Sequence, residues 1–384
     1  MLAGTNVVLG VSGSIAAVKT VELAHELRRR GAEVRAVMSG SAQGIIHPWS
    51  LEFATERPVV TEITGAVEHV ELCGYDGWAD VLLLAPATAN TIGKVAAAVD
   101  DTPVTTTATT ALGAGVPIVV APAMHEPMYD HPGVLEAIER LESWGIGFVE
   151  PRIEEGKAKI ASEEAIVLDV ARAAGDRPLA GRHVVVTSGP TSESIDPVRV
   201  LTNRASGRTG RAVAKACYVR GADVTLVHDG DDVPYADVRR VESASEMLEA
   251  VESVADGADA LVSAAAIGDY TVEPASEKIR SGGKLTLELE PTPKLIDTIR
   301  GEHPDLPIVG FKLETSGDDE SMTARARETL ERAGLAFVVA NDASVMGSER
   351  TRVLLVGPDD VTVREGEKGG IGAHIADALA ETLR

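Results

Sequence analysis

Aromatic residues make up only 3% of this 384-residue chain, cysteine occurs twice, and lysine is scarce beside arginine, 10 against 26. Each shortage excludes something. With so few rings, the cores must be built from Val, Leu, Ile and Ala, which supply most of the 44% apolar content. Cys73 and Cys217 lie far apart in sequence, in different halves of the chain, and offer no disulfide framework, which suits a reduced, cytoplasmic compartment. The longest apolar runs, "VLLLAPA" and "VPIVVAPA", are of strand length, well short of the ~20 residues a membrane helix needs. The amino terminus runs directly into a strand, without the pattern of a secretory leader. No basic stripe is present, and a formal net charge of −23 argues against a nucleic-acid surface, which needs basic residues opposite phosphates. Two readings of the acid excess stay open. One is a halophile's surface, kept soluble in strong salt by carboxylates; the other is an ordinary acidic enzyme.

A chain of this length carries two domains by the usual size range. Strand and helix patterns alternate from the start: "NVVLGV", "SIAAVKTVELAHELRRRG", "AEVRAVMS", then "DVLLLAPA" (counted as the fourth strand), "VPIVVAPA" and a helix near 162–174. The stretch "AAGDRPLAG" has Gly, Asp and Pro without periodicity and reads as linker. The alternation then restarts with "HVVVTS", a helix over 207–220, "ADVTLVHD", "ADALVSAAA", "PIVGFKLE", a long helix around 319–333 and "AFVVAND". It ends with the paired strands "RVLLVG" and "DVTVRE" and a terminal helix. Short apolar runs separated by amphipathic helices predict an α/β protein: two doubly wound, Rossmann-like domains with mainly parallel sheets. The expected division is 1–175, a linker over 176–182, and 183–384.

Both halves open with a strand, a small-residue turn and a helix. In the first, Ser12, Gly13 and Ser14 form the turn, where free helix N–H groups and the dipole favour an anion. The spacing differs from the dinucleotide G-x-G-x-x-G, and no acidic residue closes the second strand. Ser39 stands there instead. Thr88 and Asn90 follow a later strand end, and "DDTPVTTTATTAL" adds Thr105 and Thr106. Strand carboxyl ends are where open α/β sheets bind ligands. This neutral, hydroxyl-rich set suits a flavin mononucleotide; ordinary helix caps and turns are the alternative. In the second half, "SGPTSESIDPVRVLTNRASGRTG" reads as one long turn prepared for a phosphate.

Together, "SGSIAA", "VEHVEL", "LLLAPATAN" and "PAMHEPMY" resemble the flavoprotein cysteine decarboxylases. "SGPTSESIDPVRVLTNRASGRTG", "AAAIGDY", "EKIRS" and "VVAND" resemble phosphopantothenate–cysteine ligase. In order and spacing the chain is similar to the bifunctional coenzyme A biosynthesis family. The resemblance implies a CTP-dependent ligation of cysteine to 4′-phosphopantothenate through an acyl-cytidylate, with Mg²⁺ accompanying CTP. It further implies FMN-dependent decarboxylation of 4′-phosphopantothenoylcysteine to 4′-phosphopantetheine. A bare cysteine carboxylate has no electron sink, and oxidation of the thiol to a thioaldehyde supplies one. Homo-oligomers with trimeric and dimeric contacts are implied as well.

Residue by residue, His69 matches the catalytic histidine, whose free pKa near neutrality suits a base. Met124 and His125 fall in the substrate-binding motif, with His125 where the family usually has Asn. Asn203 matches the donor to the acyl-cytidylate, Asp269 and Lys278 the nucleotide and triphosphate contacts, and Phe311 a residue lining the base pocket. Lysine at 278 meets the charge that grows on departing pyrophosphate. Thr329 and Ala333 stand where the family commonly has two lysines, which leaves the base open; Arg325, Arg327 and Arg332 flank the gap. The sequence shows no dedicated metal cage. The loop "EPRIEEGKAKIAS" lacks the family's proton-donating cysteine but holds Lys157 and Lys159. One of these closing the loop or donating the proton is one reading, a solvated loop the other, and Cys73 a weaker candidate. Two rival functions remain: a single retained activity, or a non-catalytic flavoprotein subunit. Product analysis separates them.

Overall fold

The computed structural model describes residues 1–314, 318–342 and 350–384, of which the Glu314 and Asp342 side chains are not described. It divides into two units, Met1–Gly175 and Asp176–Arg384. In the first, five strands run parallel in the order Glu33–Met38, Asn6–Val11, Val81–Ala87, Ile118–Pro122, Gly147–Phe148. Val81–Ala87 is buried along its whole length, as expected of a parallel strand covered by helices on both faces. It is the third strand of this sheet in chain order, not the fourth; between it and the second, Val60 makes an isolated bridge to Val37. The core on one face joins Val8, Leu82, Leu84 and Val120 to Leu72, Val104 and Ile138 from helices. It is aliphatic, as the shortage of rings requires.

The second unit is built on an eight-stranded sheet. The first six are parallel in the order Asp237–Arg240, Asp223–His228, His183–Ser188, Ala260–Ser263, Ile308–Glu314, Phe337–Asp342. Arg350–Val356 and Val361–Glu367 then extend the sheet antiparallel. The terminal pair is therefore part of the main sheet. Residues 176–182, read from the sequence as linker, fold onto this unit. Leu179 is fully buried, and its N–H donates to the Arg220 carbonyl at 3.0 Å.

The largest departure lies in 188–210. Instead of one long turn it contains an antiparallel hairpin, Ser192–Asp196 with Arg199–Thr202. Its alternation of Ser, Glu, Ile and Asp lacks a continuous apolar run, so strand character is weak in the sequence. Helix Arg208–Val219 then starts at Gly207, whose φ is +66°. A Cβ there would stand 2.9 Å from the Gly189 Cα. Only glycine lets the helix start so close to the strand end.

Candidate functional site

Both sheets reverse strand order at one point, and such switch points open a crevice beyond the carboxyl ends of the strands. In the first unit the switch lies between Asn6–Val11 and Val81–Ala87. Four of the polar residues singled out in the sequence meet there. Ser12 Oγ donates to the Pro86 carbonyl at 2.7 Å and accepts from the Thr88 N–H at 3.3 Å. Ser14 Oγ donates to the Ala123 carbonyl at 3.3 Å, and the Ser39 N–H to the Val11 carbonyl at 3.1 Å. Gly13 packs against the next turn, where a Cβ would fall 2.3 Å from Ser41 Oγ. Ser14, Ser39 and Thr88 each cap the helix that follows, so three helix N-termini gather at this edge. Asn90 is exposed in the first turn of helix Ala89–Ala96.

Thr105 and Thr106 are used differently. Thr105 is buried and shares a capping box with Thr102; Thr106 Oγ1 bonds the Asp100 and Thr102 carbonyls. Their hydroxyls serve the start of helix Pro103–Ala114, the cap alternative left open by the sequence. Helix Glu68–Cys73 packs on this same helix. It carries His69, whose Nδ1 is buried without a hydrogen-bond partner. A buried polar nitrogen left unpaired costs free energy until a ligand or water meets it. Together with the switch point and the clustered helix N-termini, that orphan atom makes the site fit a flavin and its substrate.

His125 is exposed and Met124 half-buried on the short strand Met124–His125. This strand pairs antiparallel with Lys157–Lys159, which pairs with Arg152–Glu154. The register sets Lys157 opposite His125 and Ala158 opposite Met124. The two lysines differ. Lys159 Nζ bonds Glu155 at 2.9 Å and Glu154 at 3.0 Å, and these bonds push its pKa above the ordinary lysine value. That is opposite to what a proton donor near neutrality needs. Cys73 is fully buried, and burial pushes its thiol pKa up to about 12.

In the second unit the switch lies between His183–Ser188 and Ala260–Ser263. Ser188 Oγ donates to the Gly207 carbonyl at 2.8 Å, which ties the strand end to the helix start. The Asn203 amide donates to the Ala266 carbonyl and accepts from the Ala205 N–H at 3.0 Å. Asn203 thus stands at the switch point. Asp269 is exposed beyond the same strand, with its carboxylate 2.7 Å from Lys294 Nζ. Lys294 was missed from the sequence, although it is one of only 10 lysines. Phe311 is half-buried in mid-strand, opposite Val339. Lys278 is exposed, next to Ile279, whose N–H is held by the Asp196 carboxylate at 3.1 Å. Arg332 pairs with Asp297 at 3.0 Å, both side chains being exposed. Among the described residues no cluster of His, Cys, Asp and Glu could hold a metal ion, and no helix is long and apolar enough to cross a membrane.

Two family models match the chain. One, described as flavoprotein, takes residues 1–175; the other, the DNA/pantothenate metabolism flavoprotein C-terminal domain, takes 179–383. The fold, its two switch-point sites and these matches define a flavoprotein unit followed by a pantothenate-metabolism unit. The coenzyme A biosynthesis bifunctional protein CoaBC of Thermococcus kodakarensis is 52% identical over 364 residues, 93% of this chain and 90% of that protein. Its namesake in Methanocaldococcus jannaschii is 35% identical over 390 residues, 100% of this chain and 95% of that protein. The Bacillus subtilis protein is 36% identical over 369 residues, 91% and 88%. The chain belongs to the CoaBC family of coenzyme A biosynthesis bifunctional proteins, and is a decarboxylase and ligase in one chain.

Proposed function

We propose that the second unit ligates cysteine to 4′-phosphopantothenate with CTP, and that the first decarboxylates the product to 4′-phosphopantetheine with FMN. The observation that supports this reading is that Ser12, Ser14, Ser39 and Thr88 gather at the switch point of the first sheet and Asn203 stands at that of the second.

In the ligase step the substrate carboxylate attacks the α-phosphorus of CTP and pyrophosphate leaves. The cysteine amine then displaces CMP from the acyl carbon. Asn203 offers an uncharged N–H to the acyl phosphate, Asp269 contacts the nucleotide, and Lys278 stabilises the charge growing on pyrophosphate. Phe311 lines the base, and Mg²⁺ arrives with the triphosphate. Lys294, whose ammonium pairs with the Asp269 carboxylate, is a further candidate for the phosphates.

In the decarboxylase step FMN, when bound, would supply reversible two-electron chemistry, so that the overall reaction is redox-neutral. Ser12, Gly13, Ser14, Ser39, Thr88 and Asn90 line its site, and the caps of Thr105 and Thr106 orient the neighbouring helix. His69 takes the proton from the substrate's cysteine end. His125 and Met124 hold the substrate, and Lys157 donates the final proton or closes the hairpin on it. We place the protein in the cytoplasm as a homo-oligomer.

Product analysis on the full chain tests this. Supplied with 4′-phosphopantothenate, cysteine, CTP and Mg²⁺, it should release CMP, pyrophosphate, CO₂ and 4′-phosphopantetheine. Turnover with ATP alone would overturn the choice of nucleotide. Accumulated 4′-phosphopantothenoylcysteine would overturn the second step.

A further inference from the structure

The hairpin Ser192–Asp196/Arg199–Thr202 connects the two residues assigned to the ligase chemistry. At its open end Thr191 meets the loop after strand Ala260–Ser263. The Thr191 N–H donates to the Ala266 carbonyl at 3.2 Å, and its Oγ1 accepts from the Gly268 N–H at 2.8 Å. Asn203 follows Thr202 at this end. The closed end lies about 13 Å away, four extended residues at about 3.3 Å each. There Asp196 is 2% exposed, and its carboxylate gathers four donors. Oδ1 accepts from the N–H groups of Val198 at 2.8 Å and Arg199 at 2.9 Å; Oδ2 accepts from the Ile279 N–H at 3.1 Å and from the Arg199 guanidinium.

Only two of those donors are needed to close the turn. The Ile279 N–H comes from 83 residues further along the chain. Arg199 also donates to the Ile279 carbonyl at 3.1 Å, so the backbone is held on both sides of the Ile279 Cα. A second tether, the Ala275 N–H on the Ile195 carbonyl at 3.0 Å, holds the segment four residues earlier. Lys278 lies between the tethers, in a stretch without helix or strand of its own. Burial alone would raise the Asp196 pKa, but the N–H groups of Val198 and Ile279 and the Arg199 charge outweigh it and hold it low. The carboxylate is thus ionised at neutral pH.

We propose that Asp196 is a positioning residue: through the Ile279 peptide it holds Lys278 at a set distance from Asn203, so that acyl transfer and pyrophosphate departure share one rigid hairpin. This deepens the ligase reading above and rests on it. A loop lysine without the clamp would sample many positions, and electrostatic stabilisation depends on prior placement.

A double-mutant cycle on the full chain tests the idea. We expect Asp196→Ala to lower the ligase kcat at least tenfold, while decarboxylation of supplied 4′-phosphopantothenoylcysteine stays unchanged. Asp196→Asn keeps an acceptor for the Ile279 N–H and should retain part of the loss. Ile279→Pro removes that N–H while leaving the hairpin turn intact, and keeps the test alive should Asp196→Ala unfold. Added to Lys278→Gln, either change should cost less than a further twofold. An equal loss in both backgrounds, or none in either, would overturn the proposal. Wild-type activity in Lys278→Gln alone would instead sink the assignment of Lys278, which is a different result.

Discussion

His125 and Lys157 are direct cross-strand partners in an antiparallel pair, although 31 intervening residues separate them. The neighbouring register pair, Met124 with Ala158, locks this relationship, because a slip by one residue would turn Ala158 out of its buried position. The only lysine opposite the substrate motif is therefore Lys157 among the described residues.

Lys157→Met should slow formation of 4′-phosphopantetheine by roughly a hundredfold, the usual scale for a lost proton donor. Decarboxylation should run for about one turnover per flavin, leaving enethiol unreduced and the flavin absorbance bleached. Lys159→Met should leave turnover near that of the wild type, because its contacts are exposed pairs with Glu154 and Glu155. Stopped-flow absorbance with product analysis distinguishes them. Equal damage from the two changes would refute the division.

Lys278→Gln should slow cysteine ligation at least a hundredfold, with a measurable residual rate, while decarboxylation of supplied 4′-phosphopantothenoylcysteine remains. His69→Asn should do the reverse. Each residue belongs to a separate unit with its own switch point. Circular dichroism on both variants excludes unfolding, and a folded variant that loses both reactions would contradict two independent sites.

His228 gives a pH prediction. It is 2% exposed, and both ring nitrogens are buried without a hydrogen-bond partner. Burial, reinforced by Arg211, pushes its pKa below the ordinary histidine value; Asp229, Asp231 and Arg240 also act on it. The folded state keeps the ring neutral, whereas the unfolded chain protonates near 6.5. Between the folded pKa and 6.5 the unfolded state binds more protons, so this contribution is fully present above 6.5 and is lost as pH falls. His228→Leu should remove that dependence and raise stability on the order of 1 kcal/mol at neutral pH. Denaturant titrations at pH 7.5 and 5.5 would show it. An unchanged pH slope in the variant would count against His228.

Salt should stabilise the protein. The charge of −23 repels itself, and the screening length falls from about 10 Å at 0.1 M to about 3 Å at 1 M. Pairs such as Arg352–Asp319 and Arg57–Glu33 are exposed on both sides and oppose this only weakly. The melting temperature should rise from dilute buffer into molar KCl; a flat profile would favour an ordinary acidic enzyme over a halophile's surface.

Most of the parallel strands were legible in the sequence because each is a local apolar run such as "HVVVTS" or "VLLLAPA", buried on both faces. Helix starts were legible for the same local reason: Ser14, Ser39 and Thr88 bond N–H groups two or three residues ahead. The family motifs of both units are likewise short and contiguous. Contacts between distant segments were decided only by the tertiary structure. The hairpin in 192–202 has little apolar signal, and its partners are Ala266, Gly268 and Ile279. Lys157 and Lys159 look equivalent in "EGKAKIAS" and share one face of their strand, yet the register sets Lys157 opposite His125 while two glutamates hold Lys159. Asp196 reads as an ordinary turn residue until a peptide from far along the chain completes its carboxylate's shell. Local periodicity specifies elements; which polar atoms face one another depends on the packing of those elements, where an unpaired buried group is costly enough to select the arrangement.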